Sequence, residues 1–265
     1  MIESRKALLD ALEALNDHLN AVVLVGAQAV YMHTTHISTP VADMTKDADL
    51  ALNGSLLKDS PLIELVLQQS GFRLGANPGS WISQTGIPVD LMVPEALAIR
   101  KGRGAGVAPH ATNSARNTAG IEGCLVDNSR MSITSFDPKD LRSFEILVAG
   151  PAALLIAKAH KIGERIDIQR SIENKDAHDV YKILRAVDTD SLAASLQLLI
   201  ETPLSATSTR KGITYFKTLF ADSSDSLGSQ MAGAAEQDFG NSDLVSKSTT
   251  LLAEDLLSAL GSDYL

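Results

Sequence analysis

Hydrophobic residues change their spacing twice in the first fifty positions. From Ser4 to Asn20, Leu8, Leu9, Leu12, Leu15 and Leu19 recur at helical intervals, with Ser4 placed to cap the first turn. Val22–Val25 is then a short unbroken apolar run, read as a core strand, and Gly26 closes it. A helical pattern resumes from Ala27 to about His33, followed by a turn-rich loop. Beyond it the period falls to two. Asp47, Asp49 and Ala51 fall on one face of a strand, and Ala48, Leu50 and Leu52 on the other.

The rest of the chain reads in two styles. Leu56 to Ser70 predicts an amphipathic helix closed by Gly71, and Phe72–Leu74, Trp81–Gln84 and Pro88–Val93 predict short strands around an Asn77-Pro78-Gly79 turn. Gly120–Val126 and Met131–Phe136 predict a hairpin across Asp127–Arg130, and Phe144–Ala149 a further strand. Pro151 then opens a long helix, and a second begins near Asn174. Helical patterns follow at Ser191–Glu201, Gly212–Phe220 and Asp243–Leu260. These patterns predict an α+β chain with a mixed sheet in residues 1–149 and a helical lobe in 150–265.

Composition narrows the function classes. With 45% apolar and only 4% aromatic residues among 265, the core rests on aliphatic side chains. The formal net charge of −9 excludes a surface that binds nucleic acid on all sides and leaves room for a local basic patch. Ala98–Thr118 is that patch: Arg100, Lys101, Arg103, His110 and Arg116 with no acidic residue, read either as a phosphate-contacting loop or as a flexible solvated one. The single cysteine, Cys124, lies in an apolar run and reads as a core residue. The apolar run Ala21–Val25 is too short for a signal peptide, and no stretch approaches a membrane span, so a cytoplasmic protein without a membrane partner is expected.

Several residue groups carry possible chemistry. Asp47 and Asp49 on one strand face repel each other unless a cation lies between them, and hard divalent cations bind such carboxylates; the plain alternative is a solvated edge strand. Asp90 stands in the apolar strand Val89-Asp90-Leu91-Met92-Val93, where it costs free energy unless paired or metal-bound. Gly26-Ala27 at a helix start offers backbone N–H groups to an anion. Lys158, Lys161 and Arg165 share a helix face, and Asp176 and Asp179 follow on the next helix. A salt-bridge network between the two helices is the plain reading of that group. Trp81 suits base stacking or packing, and His33 and His36 read as solvated loop residues or weak metal ligands.

Strand, glycine turn, helix, Thr45-x-Asp47-x-Asp49, a later strand bearing Asp90, then Lys158, Arg165 and Lys175-Asp176-x-x-Asp179: this order resembles the nucleotidyltransferase fold of DNA polymerase beta type. More narrowly it resembles the AbiEii / MenT-type nucleotidyltransferase toxins of bacterial toxin–antitoxin systems. The resemblance implies a mixed-sheet nucleotidyltransferase fold with flanking helices. It implies transfer of a nucleoside monophosphate from NTP to an acceptor hydroxyl with release of pyrophosphate. Two Mg²⁺ would be held by Asp47, Asp49 and Asp90. Gly26, Ala27 and Thr45 would lie against the triphosphate, with Lys161, Arg165 and Asp179 adding nucleotide contacts. Lys158 would offset phosphate charge, and Asp176 would steer it or help hold the acceptor. In toxin-like members the acceptor is the tRNA 3′ end, here reached through the Arg100–Arg116 loop, and a cognate antitoxin is a partner. The chain departs from the pattern at Ala27, where Gly or Ser is usual, and at Asp43, where Arg is usual. A protein or small-molecule acceptor, or a degenerate nucleotide-binding protein, are the alternatives.

Overall fold

The computed structural model describes residues 2–40, 45–99 and 102–261; Asp43, Arg100 and Lys101 lie outside the described residues. Two units form: 2–29 with 45–149, and 30–40 with 150–261. The chain is α+β, with a mixed sheet and its helices in the first unit and an all-helical region in the second.

In the first unit, α1 (Ile2–Ala14) precedes β1 (Val22–Val25), and α2 starts at once after it (Gly26–Thr34). Then come β2 (Ala48–Leu52), α3 (Ile63–Gln69), β3 (Arg73–Leu74), β4 (Ser80–Ile82), β5 (Pro88–Pro94), β6 (Arg116–Thr118), β7 (Asn128–Thr134) and β8 (Ser143–Ala149). The sheet runs β3-β4-β5-β2-β1-β8-β7. Its middle is mixed: β1 is antiparallel to β2 and parallel to β8, while β2 is parallel to β5. All four residues of β1 are buried, which explains why its sequence does not alternate. α1 lays Leu8, Leu9 and Leu12, all fully buried, on β2 and β5. At roughly 25 cal/mol per Å² of apolar surface, each such leucine contributes about 2 kcal/mol.

β5 is shared along one edge. Its first half pairs antiparallel with β4 (Ser80↔Asp90) and its second half parallel with β6 (Met92↔Arg116). The changeover needs Gly79. Its φ of +74° is left-handed, its carbonyl accepts from the Leu91 N–H at 2.7 Å, and a β-carbon there would lie 2.5 Å from the Arg116 nitrogen.

Three sequence expectations change. Ser4 does not cap α1: the helix already runs from Ile2, and Ser4 is buried inside it. The helix expected from Leu56 begins only at Ile63, after Pro61, which has no N–H to give a helical ladder. The expected hairpin across Asp127–Arg130 does not form, and residues 122–125 make a 3₁₀ turn. β7 begins at Asn128 and pairs instead with β8, from Asn128↔Ala149 to Thr134↔Ser143. The stronger turn chemistry lies between those strands. Asp137 accepts from the Lys139 N–H (2.9 Å) and Asp140 from the Arg142 N–H (3.2 Å), each side chain closing its own turn.

The second unit contains α4 (Pro151–Asp167), α5 (Asn174–Ala186), α6 (Thr189–Glu201), α7 (Ala206–Phe216), α8 (Leu227–Ala234) and α9 (Ser242–Leu260). Pro151 stands in the first turn of α4, where its missing N–H is harmless. Asp188 and Asn241 cap α6 and α9 through the Ser191 and Leu244 N–H groups. No helix among the described residues is long and apolar enough to cross a membrane.

Candidate functional site

The carboxylates gather where β1, β2 and β5 lie side by side. Asp49 on β2 and Asp90 on β5 are register partners on parallel strands, so their side chains leave the same side of the sheet. On the other flank Val25 is the register partner of Asp49, and the next residue, Gly26, turns into α2 with φ +69°. A β-carbon at Gly26 would lie 2.9 Å from the Asp49 β-carbon and collide with its carboxylate. The helix start therefore abuts Asp49, with the first-turn N–H groups of α2 beside it. Ala27, which follows, brings no hydroxyl to this turn.

Asp47 precedes β2 and is held from two directions. The Thr45 hydroxyl donates to its carboxylate at 2.6 Å, so Thr45, which is buried, serves Asp47. The Gln28 amide donates to the Asp47 carbonyl (3.3 Å) and to the Ser4 carbonyl (3.2 Å). Gln28 in turn accepts from Arg5 Nε at 2.8 Å, and the Arg5 guanidinium lies 4.2 Å over the Phe136 ring. This buried chain from α1 through α2 fixes the backbone ahead of Asp49. Neither Gln28 nor Arg5 stands out in the sequence; the one available signal is a glutamine and an arginine on otherwise apolar helix faces.

Asp90 has a partner in this structure. Arg116 Nη1 lies 2.9 Å from Asp90 Oδ2, and Arg116 Nη2 donates to Met92 Sδ at 3.1 Å. Met92 and Arg116 are register partners, so the guanidinium reaches diagonally back along β5 to Asp90. Among the described residues, no three His, Cys, Asp or Glu side chains gather closely enough to form a metal cluster. The donor set still fits Mg²⁺. That ion is commonly held by one or two carboxylates, its remaining positions filled by water and substrate phosphate. Asp49 and Asp90 are such a pair, while the Asp47 carboxylate is turned to Thr45.

The basic loop is anchored, and its charge is partly consumed. Arg103 is exposed, Arg116 is paired, and His110 is buried. His110 Nδ1 accepts from the Ile63 N–H (3.2 Å), so Nε2 carries the proton it donates to the Lys58 carbonyl (3.0 Å). Burial, with His18 edge-on at 5.5 Å, holds its pKa below the ordinary histidine value. Glu64 accepts from Ser114 Oγ (2.8 Å) and the Ala111 N–H. Burial would raise the Glu64 pKa, but those bonds outweigh it and leave it lowered. Trp81 is fully buried and donates its indole N–H to the Ser114 carbonyl at 2.9 Å, so it does not stack on a base. In the described part of the segment, His110, Ser114 and Arg116 are thus held by hydrogen bonds or an ion pair, while Arg103 and Pro109 face solvent. Cys124 is a core residue, as expected, its thiol pushed up by burial.

The second unit holds the other sequence-marked group. Lys158 Nζ on α4 lies 2.7 Å from both Asp176 and Asp179 on α5. Lys161 adds a bond to Asp176 (2.9 Å) and Lys182 one to Asp179 (2.9 Å). Burial would lower the Lys158 pKa, but the two aspartates outweigh it and raise it; both aspartates are lowered by their lysines against the same burial. Three ammonium groups on two carboxylates make a nearly closed salt-bridge network, so Asp176 and Asp179 position Lys158. The Lys158 side chain is only 7% exposed, whereas Lys161 is 39% exposed and is the member with solvent access. Arg165 does not join Asp176; it donates to the Ser171 carbonyl at 3.4 Å. His36 lies in an exposed turn, as the solvated-loop reading expects, and its ring bonds the Ala186 carbonyl (3.0 Å). Lys182 and the buried His178–Glu236 pair (2.8 Å) also belong to the polar interior of this unit, and no local pattern in the sequence marks them.

The chain matches no protein-family model, and no curated protein is similar to it.

Proposed function

We propose that this chain is a metal-dependent nucleotidyltransferase whose nucleotide site lies in the first unit, at the Asp49–Asp90 pair and the start of α2. The observation that carries this reading is the register pairing of Asp49 with Asp90 next to the left-handed turn at Gly26. Carboxylates so placed suit Mg²⁺ bound jointly with phosphate oxygens, and a helix start beside them suits the phosphates themselves.

Asp49 and Asp90 would hold the cation, and Asp47 would join them after leaving Thr45. Bound Mg²⁺ supplies charge neutralisation at the phosphoryl oxygens and a lowered pKa for the attacking hydroxyl. The Gly26 and Ala27 backbone would receive the triphosphate by N–H contacts alone. Gln28 and Thr45 keep Asp47 and the start of β2 in place. The reaction is NTP plus an acceptor hydroxyl giving the NMP ester and pyrophosphate. In keeping with the toxin-like resemblance we take the tRNA 3′ end as acceptor, in a toxin–antitoxin or phage-defence setting.

Transfer of labelled nucleotide to total tRNA tests this, with Asp49→Asn and Asp90→Asn as controls. Label in RNA that both substitutions abolish is the expected result. Label in a protein or small molecule with RNA blank changes the acceptor, and no transfer from any of the four NTPs to any fraction sinks the reading. The Arg116–Asp90 ion pair favours one second reading, a nucleotide-binding protein without turnover. Mg²⁺-dependent NTP binding with no pyrophosphate release would select it.

A further inference from the structure

We propose that Arg116 is a displaceable counter-ion of the carboxylate pair: it neutralises Asp90 when no divalent cation is present, and passes to nucleotide phosphate when one binds. This rests on the nucleotidyltransferase reading of the Asp49–Asp90 pair and adds a regulator to it.

The geometry separates a fixed backbone from a movable head. The Arg116 main chain is clamped by Met92 on β5, by a bridge to Gly104, and by the close approach of Gly79. The Asn117 N–H also bonds the Arg103 carbonyl at 2.9 Å. The guanidinium, in contrast, belongs to a side chain 36% exposed, while that of Asp90 is 16% exposed. Among the described residues its hydrogen bonds are one charged contact, to Asp90 Oδ2, and one to a thioether, which is a weak acceptor. Leaving Asp90 therefore breaks one ion pair and no backbone bond.

Arginine cannot leave by losing its proton, because the guanidinium stays charged at any working pH. A divalent cation on Asp90 and a guanidinium on the same carboxylate repel each other, so binding of one displaces the other. A displaced guanidinium on a fixed backbone remains next to the site. Its planar set of N–H donors matches phosphate oxygens in bidentate fashion. Arg116 thus opposes bare metal and favours metal with nucleotide, which links the two ligands.

The two halves predict effects of opposite sign. In the intact chain, Arg116→Met should tighten Mn²⁺ binding, read by electron paramagnetic resonance, roughly 2- to 5-fold, the scale of a partly exposed ion pair. The same variant should weaken binding of a non-hydrolysable ATP analogue at saturating Mn²⁺ by about 10-fold, as expected for loss of a charge-assisted contact. Arg116→Lys keeps the charge without the fork. It should leave Mn²⁺ affinity near wild type and weaken the nucleotide by less than Arg116→Met does. Trp81 emission characteristic of a buried indole shows that each variant keeps β4–β6 intact.

Mn²⁺ affinity unchanged or reduced in a folded Arg116→Met protein overturns the proposal, as does Mn²⁺ binding that survives Asp90→Asn. Loss of both affinities means a purely structural Arg116 and overturns it as well. Opposite-sign shifts with no nucleotidyl transfer by the wild type would sink the enzymatic reading alone. Transfer with Mn²⁺ affinity indifferent to Arg116 would sink this inference alone.

Discussion

Gly26 and Asp49 meet across the β1–β2 pair so closely that the glycine has no room for a side chain. A β-carbon at Gly26 would lie 2.9 Å from that of Asp49, and the backbone φ of +69° is itself unfavourable for any residue with a β-carbon. Gly26→Ala is therefore expected to destabilise the protein by about 2 kcal/mol, from overpacking and left-handed strain together. Urea unfolding measures it. Mn²⁺ affinity should fall in the same variant, because the carboxylate must move; an alanine variant with wild-type stability would refute the close approach.

The Lys158 network offers a sharper stability test. Lys158→Met leaves Asp176 and Asp179 buried without their shared cation, which costs about 3–5 kcal/mol. Acid sensitivity should move with it. In the wild type both aspartates are held below their ordinary value of 3.8. Their contribution is complete above that value and is lost as pH falls through the folded values, where the unfolded chain binds more protons. With Lys158 removed, each aspartate keeps one lysine against its burial, so both folded values rise. Groups raised in this way lose less stability as pH falls, so the deficit of Lys158→Met should be largest near neutrality and narrow in acid. Urea midpoints of the two proteins near pH 7 and near pH 4 check the narrowing.

His110 predicts a second pH dependence near neutrality. Its neutral ring accepts from Ile63 and donates to Lys58, and its pKa lies below the ordinary 6.5. The facing groups are His18, which disfavours a proton there, and Glu64 and Asp59, which favour one without prevailing. A depressed histidine pKa means the unfolded chain binds the proton first. Stability is then complete above pH 6.5 and declines as pH falls toward the folded value. Denaturant midpoints at pH 7.5 and 5.5 should differ in the wild type, and differ less in His110→Gln.

Gln28 is expected to act on Asp47 through the backbone. Gln28→Ala removes its bonds to Arg5, Ser4 and Asp47 and leaves Arg5 Nε without that acceptor. A loss of about 2–3 kcal/mol follows from buried groups left unsatisfied. Gln28→Glu, which keeps the acceptor for Arg5, should recover part of it; equal losses in both variants would count against the Arg5 bond. Thermal unfolding of the three proteins decides.

The sequence marks β1, the Gly26 turn and α2 well, because a buried strand and the helix after it are local patterns. Asp49 and Asp90 are legible as polar residues in apolar strands. Their adjacency is not, since parallel pairing of β2 with β5 is a long-range register that no local period reports. Arg116 looks like one more cation in a basic loop; only the shared edge of β5 reveals that it reaches Asp90. Asp127-Asn128-Ser129 is good turn chemistry anywhere, so it signals a hairpin that does not form; the Asp137 turn closes the hairpin instead, through its own side-chain bonds. Lys158, Asp176 and Asp179 were visible as spaced charges, but whether they serve a ligand or each other depends on burial, which spacing does not carry.

Those five charges on α4 and α5 also restrict how the two helices can align. Each aspartate is held by Lys158 and by one further lysine, Lys161 for Asp176 and Lys182 for Asp179. Asp176 and Asp179 stand three residues apart, so sliding α5 along α4 by one turn, about 5.4 Å, could keep at most one of them on Lys158 and would strip the other of that partner. An uncompensated buried charge is strongly penalised, whereas a purely apolar seam of alanine, leucine and isoleucine would tolerate the slip far better. The network thus works as a key for helix registry: of the many ways to pack two amphipathic helices, it leaves one without an orphaned charge.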